Sequence, residues 1–522
     1  MDAQQLKELE DELWLVAETF RVDSQLKVSE YYLPVLGLIM LRYAQNIFEE
    51  TKIKIENQIA ANSRSHGRSI TLTKDDFTGQ GSIFLNEESK YDYLANLPES
   101  QDIGSSINHA MQLIENDYPD MEGILPKNYQ ELEGDLLRGL IRTLNSEKIR
   151  SLPGDVFGRI YEFFLMKFAQ SGAGGNDDGE FFTPPSLVNL IINFIEPNHG
   201  VIHDPACGSG GMFVQTGYFL RNNSDESINE KISIKGTEKI DSNAKLAKMN
   251  LRIHGIENTI ISGRDGNSYY SDPHDLVGKC DFVLANPPFN VKKVDKKRDF
   301  VVNDPRLLFG LPNADNANYL WIQYFHSYLN EKGRAGFVMA SSATDAGNTE
   351  KLIRQKLIET GDVEAIVSVG NNFFYTRSLP CHLWFFNKNK KDKDTILMID
   401  ARKTFRKVNS TINDFSPAQL EGLKTIIKSY RGETVDFKAN EWLTKNFESG
   451  SYEDVEGLCK VATMDEIIEN DYSLNPGRYV GFSIQIDEDF DYKGRMAEIH
   501  DELAKLNAES DDLMKFIQDL KL

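Results

Sequence analysis

The stretch ANPPFN (residues 285–290) continues an apolar run, CDFVLA, that predicts a buried strand. Two consecutive prolines end a strand because neither can donate to a sheet ladder. We therefore expect Asn286 and Phe289 at the carboxyl end of that strand. The prolines would thus fix an amide and an aromatic ring at that strand end. The alternative is a tight turn that carries one polar and one hydrophobic residue.

A second pattern, IHDPACGSGGMFV (residues 202–214), places three glycines between a predicted strand and a predicted helix. Glycines let a backbone approach a ligand closely, and a helix N-terminus presents free N–H groups. A nicotinamide-binding loop would read GxGxxG, but here Gly208 and Gly210 are followed by Phe213. The missing third glycine argues against a dehydrogenase.

Four successive predicted strands end in a carboxylate or an amide: Asp204, Glu238, Asp265 and Asn286. In an open parallel sheet the carboxyl ends of the strands form the ligand-binding edge. Glu238 could accept two hydrogen bonds from a ribose diol, although an exposed carboxylate at a helix start is an alternative. Asp265 could accept from an adenine amino group. The order of these strand ends predicts a nucleoside-cofactor site beside a reaction centre.

The elements that must position these residues alternate from about residue 151 onward. Predicted helices lie between the earlier strands at SLVNLIINFI, SNAKLAKMNLRIHG and TEKLIRQKLIET. This alternation predicts parallel pairing and an open α/β sheet. The predicted strands are GVIHD, SIKGTE, TIISGRD, CDFVLAN, RAGFVMA, VEAIVSV, CHLWFFN and ILMIDA.

The predicted domains are a helical region (1–150), an α/β domain (151–472) and a helical tail (473–522). Residues 1–150 space their apolar side chains at three and four, as helices do. The glycine-rich stretch at 172–180 predicts a hinge or lid. In the tail, seven of the eight positions 496, 499, 503, 506, 510, 513, 517 and 520 are apolar. This seam indicates a partner-binding helix, or a helix packed on its own domain.

Composition limits the class of protein. The chain has 522 residues, enough for about three domains. The apolar stretch at residues 31–41 is too short to span a bilayer, and the acidic N-terminus is unlike a secretory signal. Four scattered cysteines without a CxxC pair argue against disulfides and a zinc site, and they predict a cytoplasmic protein. No metal site and no membrane association are predicted.

The net charge is −22, from 58 basic and 80 acidic side chains. Autonomous DNA binders usually carry a basic surface, so an acidic chain acting on DNA needs local basic patches or a partner subunit. The densest basic run, VKKVDKKRD, directly follows the ANPPFN loop. It is either a phosphate-contacting segment or a solvated loop. Its candidate DNA contacts are Lys292, Lys293, Lys296, Lys297 and Arg298.

At this point the motifs resemble a known family. DPACGSGGM and NPPF together resemble the amino-methylating DNA methyltransferases that use S-adenosylmethionine. GEFFTPPSLVNLI (179–191) resembles the segment of that family that closes over the methionine end of the cofactor. The order FFTPP, DPACGSGG, NPPF matches the branch that methylates the exocyclic amine of adenine. From about residue 10 to 480 the chain resembles the modification subunit of type I restriction–modification systems. Segments such as NYLWIQYF and LNPGRYV extend the likeness.

The resemblance implies a Rossmann-like class I S-adenosylmethionine-dependent methyltransferase sheet, with an N-terminal helical domain and a C-terminal helical tail. It implies an adenine-specific DNA methyltransferase that acts on the N6 amine of a flipped adenine in double-stranded DNA. A separate specificity subunit would read the site, with two copies of this chain per specificity subunit. A restriction and translocase subunit would join through the complex.

The resemblance also implies residue roles. Asn286 and the Pro287 carbonyl would accept from the adenine amine, Pro288 would keep the loop rigid, and Phe289 would stack on the base. Cys207 would be a packing residue, because an exocyclic amine needs no cysteine nucleophile. The implied cofactor-binding residues are Glu180, Phe181, Phe182, Thr183, Pro184, Pro185, Asp204, Ala206, Gly208, Ser209, Gly210, Gly211, Glu238 and Asp265.

Other interpretations stay open at this stage. For Thr183 the expected partner is the methionine carboxylate, and the alternative is a helix cap with Pro184 in the first turn. A stand-alone adenine methylase would need a recognition domain, for which residues 411–522 look too helical and too acidic. A glutamine amide or an RNA base are alternative substrates for NPPF-like loops. A scaffold without turnover is a further alternative, against which the intact Asn286, Pro287 and Phe289 argue.

Overall fold

The structure is a computed structural model. It describes residues 3–23, 28–62, 72–78, 82–152, 154–171, 183–224, 226–313, 315–374, 379–408 and 412–481, and part of 494–514. The predicted hinge at 172–180 lies outside the described residues. One compact unit runs to Val480, and a second begins at Gly481.

The α-helices, numbered in chain order, are α1 (Ala3–Asp23), α2 (Val28–Asn62), α3 (Lys74–Thr78), α4 (Tyr91–Ala95), α5 (Ile103–Asp117), α6 (Gly134–Leu144), α7 (Glu147–Arg150), α8 (Gly154–Gln170), α9 (Pro185–Ile195), α10 (Gly211–Asn223), α11 (Ile228–Lys231), α12 (Asp241–Ile253), α13 (Asp299–Val302), α14 (Asn318–Tyr328), α15 (Asn348–Glu359), α16 (Pro417–Tyr430), α17 (Glu441–Asn446) and α18 (Met464–Glu469). The strands are β1 (Gly200–Asp204), β2 (Ile232–Glu238), β3 (Asn258–Ser262), β4 (Cys280–Ala285), β5 (Leu329–Ala340), β6 (Val363–Val369), β7 (Cys381–Asn387), β8 (Thr395–Asp400), β9 (Arg406–Lys407), β10 (Asn413–Asp414) and β11 (Cys459–Thr463).

The N-terminal helices share one hydrophobic core. Helix α2 buries Leu36, Leu38 and Ile39 completely, as the apolar spacing of its sequence predicts. Helix α8 contributes Tyr161 and Phe164 to the same core, so this core extends beyond residue 150. The helical character predicted for this region is confirmed.

Among the described residues, nine strands form one mixed sheet in the order β11-β8-β6-β7-β5-β4-β1-β2-β3. All eight strands predicted from the sequence are present; β11 and the short β9–β10 pair are additions. Neighbouring strands from β3 to β5 are parallel, as the intervening helices predict. Strand β7 is antiparallel to both β5 and β6, and the described residues of the β6–β7 connection include no helix that could carry a parallel crossover.

Helices cover both faces of the sheet. One face packs against α9, α10 and α16, and the other packs against α14 and α15. Helix α12 has two apolar stripes. Ala247 and Leu251 belong to the sheet core, whereas Met249 and Ile253 belong to the core of the N-terminal helices. Helix α12 therefore joins the two hydrophobic cores.

In the second unit, the described positions of the predicted seam are helical and expose their apolar side chains. Met496, Ile499, Leu503 and Leu506 are 36–56% exposed. Seam positions 513, 517 and 520 lie outside the described residues. Within the described part of the chain, no helix combines the length and apolar character needed to cross a membrane.

Candidate active site

The glycine loop begins where β1 ends, at Asp204, and finishes at the start of α10. Gly208 and Gly210 adopt left-handed φ values of 52° and 76°, which residues with a Cβ rarely adopt. A Cβ added to Gly210 would lie 3.3 Å from the Cβ of Ala247 on α12. The loop therefore packs closely against α12 while its turn requires glycine.

Glu238, at the end of β2, holds this loop through its carboxylate. Its Oε2 accepts from the backbone N–H of Gly208 at 2.9 Å, and its Oε1 accepts from Ile240 N–H at 2.9 Å. On the other side, Asn250 of α12 donates to the Ser209 carbonyl at 3.0 Å. The predicted ribose-binding carboxylate is thus also a structural support of the glycine loop.

Asp204 is buried, with 2% of its surface exposed. Its Oδ1 accepts from the backbone N–H of Ala206 at 2.9 Å. Burial raises the pKa of the Asp204 carboxyl well above its usual value; the Ala206 hydrogen bond opposes this, and the nearby Glu238 charge adds to it. The Asp204 carboxyl at the end of β1 therefore favours its neutral form.

The NPPF loop begins directly after Ala285, the last residue of β4. Asn286 is half-buried, and its Oδ1 atom is buried. Phe289 is also half-buried, and its ring meets the buried Phe374 edge-on, with ring centroids 6.1 Å apart at 87°. The loop thus holds an amide and a partly open aromatic ring at the end of a central strand.

Strand pairing brings the two loops to the same edge of the sheet. Strands β1 and β4 are parallel neighbours in which Ile202 pairs with Phe282 and His203 with Val283. Strand β1 ends one residue after this pairing, and β4 ends two residues after it. Neighbouring strands lie about 4.8 Å apart. The structure therefore places the glycine loop and the NPPF loop side by side.

Asp265, Ala206 and Gly211 were also predicted to bind the cofactor. Strand β3 ends at Ser262, so the prediction that Asp265 ends the third strand is wrong by three residues; Asp265 is exposed in the following turn. Ala206 is half-buried, and Gly211 is the first residue of α10.

The segment before α9 is described only from Thr183, so Glu180, Phe181 and Phe182 lie outside the described residues. Thr183 is half-buried, Pro184 is buried and Pro185 is exposed. Pro184 occupies the N-cap position of α9, and no side chain caps the helix. The alternative interpretation of Thr183 as the helix cap is therefore wrong.

The basic run after the NPPF loop divides into two groups. Lys292, Lys293 and Lys297 are exposed. The Lys296 ammonium donates to the carbonyl of Pro312 at 3.0 Å, and desolvation lowers its pKa. The Arg298 guanidinium lies 4.1 Å from the centroid of the Tyr270 ring. Two of the five candidate DNA contacts are thus already engaged within the chain.

Sequence reasoning missed the residues that brace the loops around the site. Arg306 is completely buried, pairs with Asp304 at 2.7 Å, and donates to the Ser268 carbonyl in the loop after β3. Trp321 of α14 donates to the Tyr269 hydroxyl in that same loop, at 2.8 Å. The contacts of Arg306 and Trp321 with the loop after β3 join residues 38 and 52 positions apart, so the sequence does not show them.

All four cysteines are buried and free. Cys207 lies in the core beside Gly236, and burial raises the pKa of its thiol well above the usual value. A buried, protonated thiol is a poor nucleophile. Within the described ranges, no group of three or more His, Cys, Asp or Glu side chains is arranged to hold a metal ion.

Comparison with known proteins identifies the family. A family model described as N-6 DNA Methylase matches residues 153–488. The chain belongs to this family. A second model, described as HsdM N-terminal domain, matches residues 9–144. Members of the N-6 DNA methylase family methylate the N6 amine of adenine in DNA.

The curated relatives are methylase subunits of type I restriction enzymes. The MjaIX methylase subunit of Methanocaldococcus jannaschii is 36% identical over 98% of this chain and 91% of its own length. The HindI methylase subunit of Haemophilus influenzae is 33% identical over 79% of this chain and 90% of its own length. The family expected from the sequence, the type I modification subunit, is confirmed.

A solved structure agrees in fold. The methyltransferase subunit of a type I restriction–modification system from Streptococcus thermophilus superimposes with a TM-score of 0.72 at 21% identity. The alignment covers 91% of this chain and 99% of that one. The predicted class I methyltransferase fold with an N-terminal helical region is therefore confirmed.

Proposed function

We propose that this chain transfers a methyl group from S-adenosylmethionine to the N6 amine of a flipped adenine in double-stranded DNA. The observation that carries the proposal is the adjacency of two loops. The parallel pairing of β1 with β4 sets the glycine loop after Asp204 beside the loop that begins at Asn286. A donor site and an acceptor site lie side by side, as group transfer requires.

The residues of the glycine loop fit S-adenosylmethionine. A Cβ added at Gly208 or Gly211 would meet no atom within 4 Å, so the backbone there is open to a ligand. The Glu238 carboxylate stands at the end of β2, beside the glycine loop, where it would accept from the ribose hydroxyls. When bound, the cofactor supplies an electrophilic methyl group on a sulfonium.

The loop after β4 would activate the amine. In adenine the N6 lone pair is delocalised into the ring. The Asn286 Oδ1 and the Pro287 carbonyl would each accept one N–H bond, which localises that lone pair and stabilises the developing positive charge. Fixed acceptors of this kind contribute several kcal/mol, about 2.7–4 for one oxyanion-hole donor in another enzyme class. Pro287 and Pro288 restrict the backbone, so the acceptors need little reorganisation.

Phe289 would hold the base after it leaves the duplex. Its side chain is half-buried, and its ring meets Phe374 edge-on. Stacking on an aromatic side chain contributes about 1–3 kcal/mol per base, which offsets part of the unstacking cost.

Partner subunits would recognise the DNA sequence. The relatives are subunits of type I restriction enzymes, and the net charge of −22 is unfavourable for autonomous DNA binding. We propose that a specificity subunit recognises the site, that two copies of this chain join it, and that a restriction subunit joins the complex. The exposed seam of the tail, Met496, Ile499, Leu503 and Leu506, is the proposed assembly surface.

The test is methyl transfer from labelled S-adenosylmethionine to genomic DNA, with and without a co-expressed specificity subunit. We expect N6-methyladenine in digested nucleosides only when both subunits are present. Label in protein or RNA, or N6-methyladenine formed equally well by this chain alone, would contradict the proposal.

A further inference from the structure

We propose that Asn318 is a positioning residue that fixes the NPPF loop in the geometry needed for methyl transfer. The inference rests on the proposed function and assigns a role to a residue outside the glycine-loop and NPPF motifs. Asn318 lies 32 residues after Asn286 in the sequence, and it reaches the loop through Asn290.

Two reciprocal hydrogen bonds join Asn318 to Asn290. The Asn290 backbone N–H donates to the Asn318 Oδ1 at 2.9 Å, and the Asn318 Nδ2 donates to the Asn290 Oδ1 at 2.8 Å. Asn290 directly follows Phe289 and has a left-handed φ of 55°. The side chain of Asn318 therefore holds the chain at the residue where it turns away from the base-stacking position.

The support on which Asn318 stands is rigid. It is the first residue of α14, it is 3% exposed, and every residue of α14 is buried. Its neighbour Tyr319 makes hydrogen bonds away from the loop, donating to the Ala343 carbonyl at 2.7 Å and accepting from Arg354 at 3.1 Å. Helix α14 also packs on β4 itself, the strand that carries the loop. The NPPF loop is thus held at its start by β4 and at its end by Asn318, and helix α14 contacts the first of these anchors and carries the second.

The same helix braces the cofactor side of the site through a different residue. Trp321 donates to Tyr269, in the loop after β3, whereas Asn318 donates to and accepts from the NPPF loop. Because the two residues contact different loops, their substitutions should affect different steps. Loss of the Asn318 contacts should slow methyl transfer, while loss of the Trp321 contact should weaken cofactor binding.

The test uses the complex with its specificity subunit and three variants. Asn318→Asp keeps the size of the side chain and an acceptor for the Asn290 N–H, but it replaces the donor with a second oxygen. Asn290→Asp is a conservative variant that should keep both hydrogen bonds, because its carboxylate accepts from Asn318 and aspartate tolerates a left-handed φ. Tyr319→Phe is the matched control: it removes two buried hydrogen bonds on the same helix and none to the loop.

Three quantities are measured: the single-turnover methyl-transfer rate, the Kd for S-adenosylmethionine, and the fluorescence of 2-aminopurine at the target adenine. A displacement of about 1 Å costs about 100-fold in rate. For Asn318→Asp we expect a rate loss of that order, an unchanged cofactor Kd and reduced fluorescence. Asn290→Asp and Tyr319→Phe should stay within about threefold of wild type, far below the roughly 100-fold loss that displacement produces.

The failures can be told apart. If the wild-type complex forms no N6-methyladenine, the proposed function fails. If it does and Asn318→Asp matches Tyr319→Phe in rate, Asn318 has no positioning role. Equal losses of rate and cofactor affinity in Asn318→Asp would also overturn the proposal, since they would mean a general loss of structure. If Asn318→Asp fails to fold, Asn290→Gly, which tolerates the left-handed φ, removes the side-chain contact from the loop side, with the same expected split between rate and Kd.

Discussion

Replacing Glu238 by glutamine should lower the free energy of unfolding even without the cofactor. In the structure its two carboxylate oxygens accept from the backbone N–H groups of Gly208 and Ile240, both at 2.9 Å. A glutamine side chain of the same shape offers only one oxygen, so one of the two N–H groups would face an NH₂ donor. Glu238 is only 7% exposed, so water cannot readily replace the lost acceptor.

Hydrogen bonds to charged groups contribute about 1.5–3 kcal/mol each. We therefore expect Glu238→Gln to lower the free energy of unfolding of the cofactor-free chain by that amount. Relief of the repulsion on Asp204 offsets little of this, because the Glu238 charge is a lesser cause of the raised Asp204 pKa than burial. The cofactor affinity should fall by at least about tenfold, the equivalent of one lost hydrogen bond of about 1.4 kcal/mol.

The assays are urea unfolding without cofactor and calorimetric titration with S-adenosylmethionine. Asp265→Asn is the matched control, because this carboxyl is exposed and its removal should change stability by less than about 0.5 kcal/mol. A Glu238→Gln chain that is as stable as wild type, yet binds cofactor weakly, would refute the structural half of the role.

Three further outcomes follow from the structure. Gly210→Ala should cost about 1–2 kcal/mol of stability and weaken cofactor binding, because φ is 76° there; Gly211→Ala, whose Cβ meets nothing within 4 Å, should keep its stability in the same thermal unfolding assay. Burial raises the pKa of Glu162 to about 7, so the folded state loses stability as pH rises from about 4.5 to 7. In urea unfolding, Glu162→Gln should therefore be more stable than wild type by about 3 kcal/mol at pH 8 but by only about 1 kcal/mol at pH 5. Lys297→Gln should reduce the salt dependence of DNA binding by the complex by about 0.9 in log–log slope, whereas Lys296→Gln, which loses a tether to the Pro312 carbonyl, should leave the slope unchanged. An unchanged pH profile for Glu162→Gln, or equal slopes for the two lysine variants, would contradict these assignments.

The sheet could be predicted from the sequence because its strands are short apolar runs bounded by glycine, proline or polar residues. All eight predicted strands are present, and the helices between β1 and β5 impose the parallel order. Strand β11 was missed because CKVAT has only a weak apolar alternation, and it pairs with β8 from more than fifty residues away. Long-range pairing of this kind leaves no local signal.

The site could be predicted only as far as its motifs reach. Asn286 and Glu238 stand at strand ends, where the sequence puts them, since a strand end depends on local residues. Asn318 and Arg306 could not be found, because their contacts depend on how α14 and the β4–α14 segment fold back over the site. The two backbone bonds of Glu238 were also beyond prediction, because they depend on the path of the glycine loop.

The central claim is that the Asn286 amide activates the amine and takes no part in holding the cofactor. The most direct measurement is the single-turnover methyl-transfer rate of Asn286→Ala, with the cofactor Kd measured on the same preparation. We predict a rate loss of at least about 100-fold, the effect of removing one fixed electrostatic contact in a transition state, with a cofactor Kd within about twofold of wild type, below 0.5 kcal/mol. A rate close to wild type, or a cofactor affinity that falls together with the rate, would contradict the account.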